Sequence, residues 1–285
     1  MKDERNTMKK LFVYIGTYTL NSDSEGIYVY QFDLSNGSLT RVGLTSGIDN
    51  PSFLTITTDG QYLYAVNEVA EVDGVLGGSV SGYAINNQTG ALTYLNSQST
   101  HGAYPCHVSM DQSEQYLVVS NYMGGNIAML PIKKDGTIGF ATDVVQHEGF
   151  SKVNPERQEA PHSHSATITP DNKFALVADL GKDMLISYKL DLKKGKLLSY
   201  EKKQIYEAPG DGPRHMDFHP NGRFVFLLNE LGNTINSYRY ESEKGTLKLV
   251  DTIYSLPDDF NGDSIAADIH VHPNGKFLYA SNRGH

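Results

Sequence analysis

Tryptophan is missing from the 285 residues, cysteine occurs once, and basic side chains are outnumbered, 24 Lys and Arg against 33 Asp and Glu for a net charge of −9. Each shortage excludes something. One thiol makes no internal disulfide, and a chain this long buries enough surface to fold without one. The acidic balance argues against a nucleic-acid partner, whose binding draws on Lys and Arg against phosphates. It does not exclude a small anionic ligand, because screening over about 10 Å lets a local basic pocket act alone. No apolar run approaches the ~20 residues of a membrane span. The charged opening, Met1 to Lys10, is followed by LFVYIGTYTL, which alternates like a strand and lacks a signal-peptide core and cleavage site. The expectation is a soluble cytoplasmic protein with no membrane partner. Residues 1–8 form a flexible tail, with Met8 an alternative start, and 9–285 form a single domain.

What the sequence does contain is a repeat. A Pro or small residue, about six alternating residues, a turn and an aromatic-aliphatic run lead to Asn or Asp. The block ends at Asn67, Asn121, Asp179, Asn229 and Asn282, at spacings of 54, 58, 50 and 53 residues. Asp59-Gly60, Asn221-Gly222 and Asn274-Gly275 supply the positive φ of tight hairpin turns between period-two segments. A second hairpin follows each block, as in Gly26 to Leu34, the turn Asn36-Gly37, then Ser38 to Val42. Two hairpins per period of about 50 residues make a four-stranded antiparallel blade, and no helical periodicity interrupts them. The fold is an all-β propeller, its blades stable only when stacked face to face. The absence of tryptophan weakens a tryptophan-aspartate-repeat reading.

Several segments go beyond blade structure: Val13 to Tyr18, Arg157-Gln158 through Pro161-His162-Ser163-His164, Gly212-Pro213-Arg214-His215, and Ala267 to His270 through Ser281 to His285. On these the chain resembles, along its full length, the lactonase family of seven-bladed propellers. The resemblance implies seven four-stranded blades. It also implies that His164, Arg214, Glu230 and Arg283 stand at the proposed active-site positions of the family. Seven blades at this period need about 350 residues. The chain is therefore expected to be a C-terminally truncated propeller, short by one to one and a half blades. Leu11 to Val42 would be the later strands of a blade whose remaining strand lies in the missing part. The implied activity is hydrolysis of a sugar-acid lactone, 6-phosphogluconolactone to 6-phosphogluconate on the pentose phosphate route, with no cofactor. Two alternatives stay open: a carboxymuconate-type lactonising cycloisomerase, and a non-enzymatic propeller presenting its face to a protein partner.

Lactone hydrolysis needs an activated water, a stabilised oxyanion and a proton for the departing ring oxygen. A phosphorylated substrate adds a need for arginine, whose fork matches phosphate oxygens. His162 and His164, two apart, face the same way on an extended strand. His164 is the candidate general base, because imidazole titrates near neutral pH; otherwise the pair lines a polar loop. No third ligand has convincing spacing, so no metal is expected. Arg214 would hold oxyanion or phosphate. Glu230 would act as acid or base, or orient His164, and otherwise caps its strand. Arg283 takes the repeat position of Glu230 one blade on, so if one points into the channel the other should. Glu68 takes it too and is a candidate for substrate binding. His107 and His215 share another repeat position; His107 is a candidate pocket residue, and His215 either packs between blades or meets substrate. His219 and His272 both precede Pro-Asn-Gly and are read as structural, and Cys106 as buried packing. The long break at 146–160 is expected over the channel mouth, offering Arg157 and Gln158 to substrate.

Overall fold

A computed structural model describes residues 10–199 and 204–285; the expected N-terminal tail lies outside them. The described residues form six antiparallel blade sheets in chain order, here blades I to VI, and one separate two-stranded hairpin. Blade I holds β1 (Leu11–Ile15), β2 (Gly26–Phe32) and β3 (Leu39–Ser46). Blade II holds β4 (Leu54–Ile56), β5 (Tyr62–Asn67), β8 (Ser79–Ile85) and β9 (Leu92–Ser99). The small hairpin β6 (Glu71–Val72) and β7 (Val75–Leu76) is inserted between β5 and β8. Blade III is β10 (Pro105–Met110), β11 (Tyr116–Asn121), β12 (Asn126–Pro131) and β13 (Asp143–Gln146). Blade IV is β14 (Ser163–Ile168), β15 (Phe174–Asp179), β16 (Met184–Asp191) and β17 (Lys196–Ser199), with β18 (Ile205–Tyr206) also on β16. Blade V is β19 (Pro213–Phe218), β20 (Phe224–Asn229), β21 (Thr234–Glu241) and β22 (Thr246–Tyr254). Blade VI holds β23 (Ile265–Val271) and β24 (Leu278–Arg283). A three-residue 3-10 turn, Leu180–Lys182, is the helical element among the described residues.

The period-two pattern decides how blades stack. In β11, Leu117 and Val119 join Tyr64, Val66 and Val80 of blade II, while Val118 between them joins Ala175 and Val177 of blade IV. β11 thus feeds two cores, one on each face. Similar clusters lie between blades I and II, IV and V, and V and VI. The hydrophobic core is therefore a series of layers between sheets, and no blade has a core of its own.

The outer turns lock this stacking. Gly136 has φ +79°, and a Cβ there would lie 2.1 Å from the Tyr62 ring of the preceding blade. Gly245 sits against Phe174 in the same way. Glycine is needed at these turns both for backbone conformation and for close approach. The inner strands β10, β14, β19 and β23 follow one another side by side, so whatever their starts present converges on one axis.

Candidate active site

Two repeat positions build the site. The first is a bulge. β10, β14 and β19 each slip register by one residue against the next strand, between Pro105 and His107, Ser163 and Ser165, and Pro213 and His215. The unpaired residues are Cys106, His164 and Arg214, and all three line one cavity of about 380 Å³. A bulge re-aims one side chain without ending the sheet. Ser52, at the corresponding place before β4, lines the same cavity.

The second position follows the strand-end Asn. Asn121 Nδ2 donates to the Thr100 carbonyl and to Asn126 Oδ1, and Asn229 Nδ2 donates to Thr234 Oγ1 and Asp211. These buried amides pin the strand ends and fix the residue that comes next. That residue is Glu68, Tyr122, Glu230 or Arg283, and each lines the cavity. At the Asp179 copy the next residue is Leu180, which is buried instead.

Glu230 is the hub, 1% exposed. Its Oε1 accepts from Arg157 Nη2 at 2.5 Å. Its Oε2 accepts from Arg214 Nε at 2.7 Å, lies 3.1 Å from Arg283 Nη2 and 3.3 Å from His164 Nε2. Burial alone would raise its pKa, but His164, Arg214 and Arg157 outweigh that and hold the carboxyl well below the usual range. His164 moves the other way. Burial and the Arg214 cation bring it down to about 4 against the pull of Glu230, so the ring is neutral at pH 7. With Nε2 on Glu230, its Nδ1 is left facing Cys106 Sγ at 3.7 Å. Burial raises the Cys106 thiol well above its ordinary value, and the thiol also donates to the His164 carbonyl at 3.2 Å.

Glu68 has a different environment. Its Oε2 accepts from Ser52 Oγ at 2.5 Å and Tyr18 Oη at 2.8 Å. Burial raises its pKa, and Ser52, Tyr18 and Arg214 offset only part of that.

All four expected catalytic residues, His164, Arg214, Glu230 and Arg283, meet in this cavity, with Arg157, Glu68 and His215 beside them. The 146–160 segment delivers Arg157, whose Nη2 also reaches Tyr122 Oη at 3.2 Å. Three expectations need correction. Gln158 is fully buried, donating to the Leu180 carbonyl and Asp183 and accepting from Asn154 N–H; it pins the loop and lies outside the cavity lining. His162 does not face the same way as His164, because the bulge at His164 breaks the alternation. It stacks on Tyr122 at 4.5 Å and bonds the Tyr122 carbonyl and Glu159. His107 packs on Phe53 at 4.4 Å, beneath the cavity and outside its lining.

His215 lines the cavity while its Nδ1 donates to Asp268 at 2.8 Å. His219 and His272 each accept through Nδ1 from the Asn N–H of the following turn, a structural role. Cys106, read as packing, is buried but forms part of the cavity wall. Tyr122, Tyr18 and Ser52 were not among the site residues expected from the sequence. Tyr122 had a signal, the same post-Asn position that singled out Glu68, Glu230 and Arg283. Among the described residues no three His, Cys, Asp or Glu side chains group to hold a metal ion.

A 6-phosphogluconolactonase of Bacillus subtilis (strain 168) is 36% identical over 278 residues, covering 98% of this chain and 76% of the relative. A 6-phosphogluconolactonase of Formosa agariphila is 32% identical, covering 95% and 75%. The solved structure of the Pseudomonas aeruginosa periplasmic gluconolactonase PpgL superposes with a TM-score of 0.89 at 32% identity, covering 96% of this chain and 76% of that one. The chain thus spans about three quarters of the length of these relatives. The family model "Lactonase, 7-bladed beta-propeller" matches residues 12–285. A shared fold alone would leave the family open, but matches of this extent and identity decide it: the chain belongs to the seven-bladed β-propeller lactonases.

Proposed function

We propose that the protein hydrolyses the lactone of a phosphorylated sugar acid, 6-phosphogluconolactone to 6-phosphogluconate. The observation that carries this reading is the convergence of Arg157, Arg214 and Arg283 on the single carboxylate of Glu230. Two lining carboxylates, Glu230 and Glu68, cannot neutralise three guanidinium groups, so the cavity keeps a surplus of positive charge. Each arginine also keeps N–H groups beyond the one spent on Glu230. These suit a phosphate and the oxyanion that forms when water attacks the carbonyl. Glu230 holds the arginines in place, and His164 bonds Glu230. A protein-docking face would not need a buried carboxylate hub, and the inward arrangement of Glu230 and Arg283 speaks against that reading. The same proposal places the reaction on the pentose phosphate route in the cytoplasm. No helix among the described residues is long and apolar enough to cross a membrane.

The test follows loss of 6-phosphogluconolactone above its spontaneous hydrolysis. The wild type should accelerate it, and Arg214→Ala should lower kcat by about 100-fold, the scale of losing one oxyanion donor. Unphosphorylated gluconolactone should be hydrolysed with a higher KM. No acceleration by the wild type refutes the function. Full activity in both Arg214→Ala and Arg283→Ala refutes the site.

A further inference from the structure

The geometry leaves one question open on the lactonase reading: which group takes the proton from the attacking water. Glu230 is poorly placed, because both its oxygens already accept from cations. His164 has Nε2 on Glu230 and Nδ1 turned to the Cys106 sulfur at 3.7 Å, so its one lone pair is directed at Cys106. His215 spends Nδ1 on Asp268, and its Nε2 lies 3.3 Å from the Arg214 guanidinium. Glu68 is different. Only its Oε2 is bonded, by two neutral hydroxyls, and among the described residues Oε1 has no hydrogen-bond partner in a cavity it lines.

We propose that Glu68 is the catalytic base, a role that rests on the lactonase reading. Water attacks the lactone carbonyl carbon as one of its protons passes to Glu68 Oε1. The carbonyl electron pair moves to oxygen, where the arginines hold the charge. The tetrahedral centre then collapses, the bond to the ring oxygen breaks, and the proton on Glu68 moves to that oxygen. Glu68 is an ionised carboxylate again, and the new acid loses its proton to solvent. The two hydroxyls on Oε2 orient the carboxylate and leave Oε1 as the basic edge. Burial raises this carboxyl's pKa, which strengthens it as a base. The charged or titratable groups acting on it are Tyr18, Arg214 and Cys106.

The experiment compares wild type, Glu68→Gln and Tyr18→Phe by kcat and KM for 6-phosphogluconolactone across pH, with calorimetric binding of 6-phosphogluconate. Glu68→Gln should lower kcat by about 100- to 10,000-fold while binding the product as the wild type does. Tyr18→Phe removes a donor that lowers the Glu68 pKa, so the acid-side fall in kcat should move to higher pH. A merely structural Tyr18 would leave that limb in place. The proposal is overturned if Glu68→Gln keeps kcat within several-fold, or loses product binding together with kcat. It falls with the lactonase reading if the wild type gives no acceleration, a result distinct from an active wild type matched by Glu68→Gln.

Discussion

Replacing Glu230 by Gln removes one negative charge where three guanidinium groups meet, and its cost follows from how well each cation is solvated. The Arg214 side chain is 15% exposed. Stranding a buried partner costs about 3 to 5 kcal/mol, and Gln, which keeps the shape and one acceptor, belongs at the lower end near ~3 kcal/mol. Arg157 and Arg283 are 34% and 47% exposed, so water screens them. Each adds only about 0.5 kcal/mol. The sum is about 4 kcal/mol, which at a urea slope of about 3 kcal/mol/M lowers the unfolding midpoint by about 1.3 M. The pH dependence gives a second reading of the same charge. The folded-state pKa of Glu230 is depressed, so its stabilisation is complete above the unfolded value of about 4.3 and is lost as pH falls below it. The gap between wild type and Glu230→Gln should therefore be constant from about pH 7 to pH 5 and narrow below about 4.3. A gap under about 1 kcal/mol at neutral pH, or one that does not narrow in acid, refutes the hub.

Gly136→Ala places a methyl against the Tyr62 ring at a positive φ; a loss of about 3 kcal/mol, seen calorimetrically as a fall in Tm of roughly 9 °C, is expected. His164 is buried and neutral with its pKa brought down to about 4, so it costs stability as pH falls from about 6.5 towards that value. His164→Gln should lack up to about 3 kcal/mol of this acid-side loss in urea titrations between those pH values. The Cys106 thiol, buried with a raised pKa, should resist iodoacetamide at about pH 8 in the native protein and react fully in urea, as mass spectrometry can follow.

Much of the fold was legible because the blade obeys local rules. Alternation, Asp-Gly and Asn-Gly turns and a recurring strand-end Asn each encode their own hairpin, and five copies reinforce one another. The candidate site was legible where it followed the repeat. Arg283 followed from Glu230 by repeat position as well as from the family resemblance, and Tyr122 was open to the same positional reasoning. The misses came where local geometry departed from the repeat. His162 was assigned the face of His164 because a strand alternates, and the bulge at His164 cancelled that alternation. Gln158 and Arg157 are neighbours in one loop, yet one turns inward to Asp183 and the other reaches Glu230, 73 residues away.

The sequence by itself determined an antiparallel propeller of four-stranded blades, because period-two burial and turn chemistry are short-range properties written into each segment. It also determined which residue types recur at the blade starts and strand ends. Only the tertiary structure decided that Ser52, Cys106, His164 and Arg214 share one cavity with Glu68, Tyr122, Glu230 and Arg283. It alone decided which carboxylate is saturated by arginines and which keeps a free oxygen. Those roles depend on distances between residues of different blades, and blade packing sets those distances.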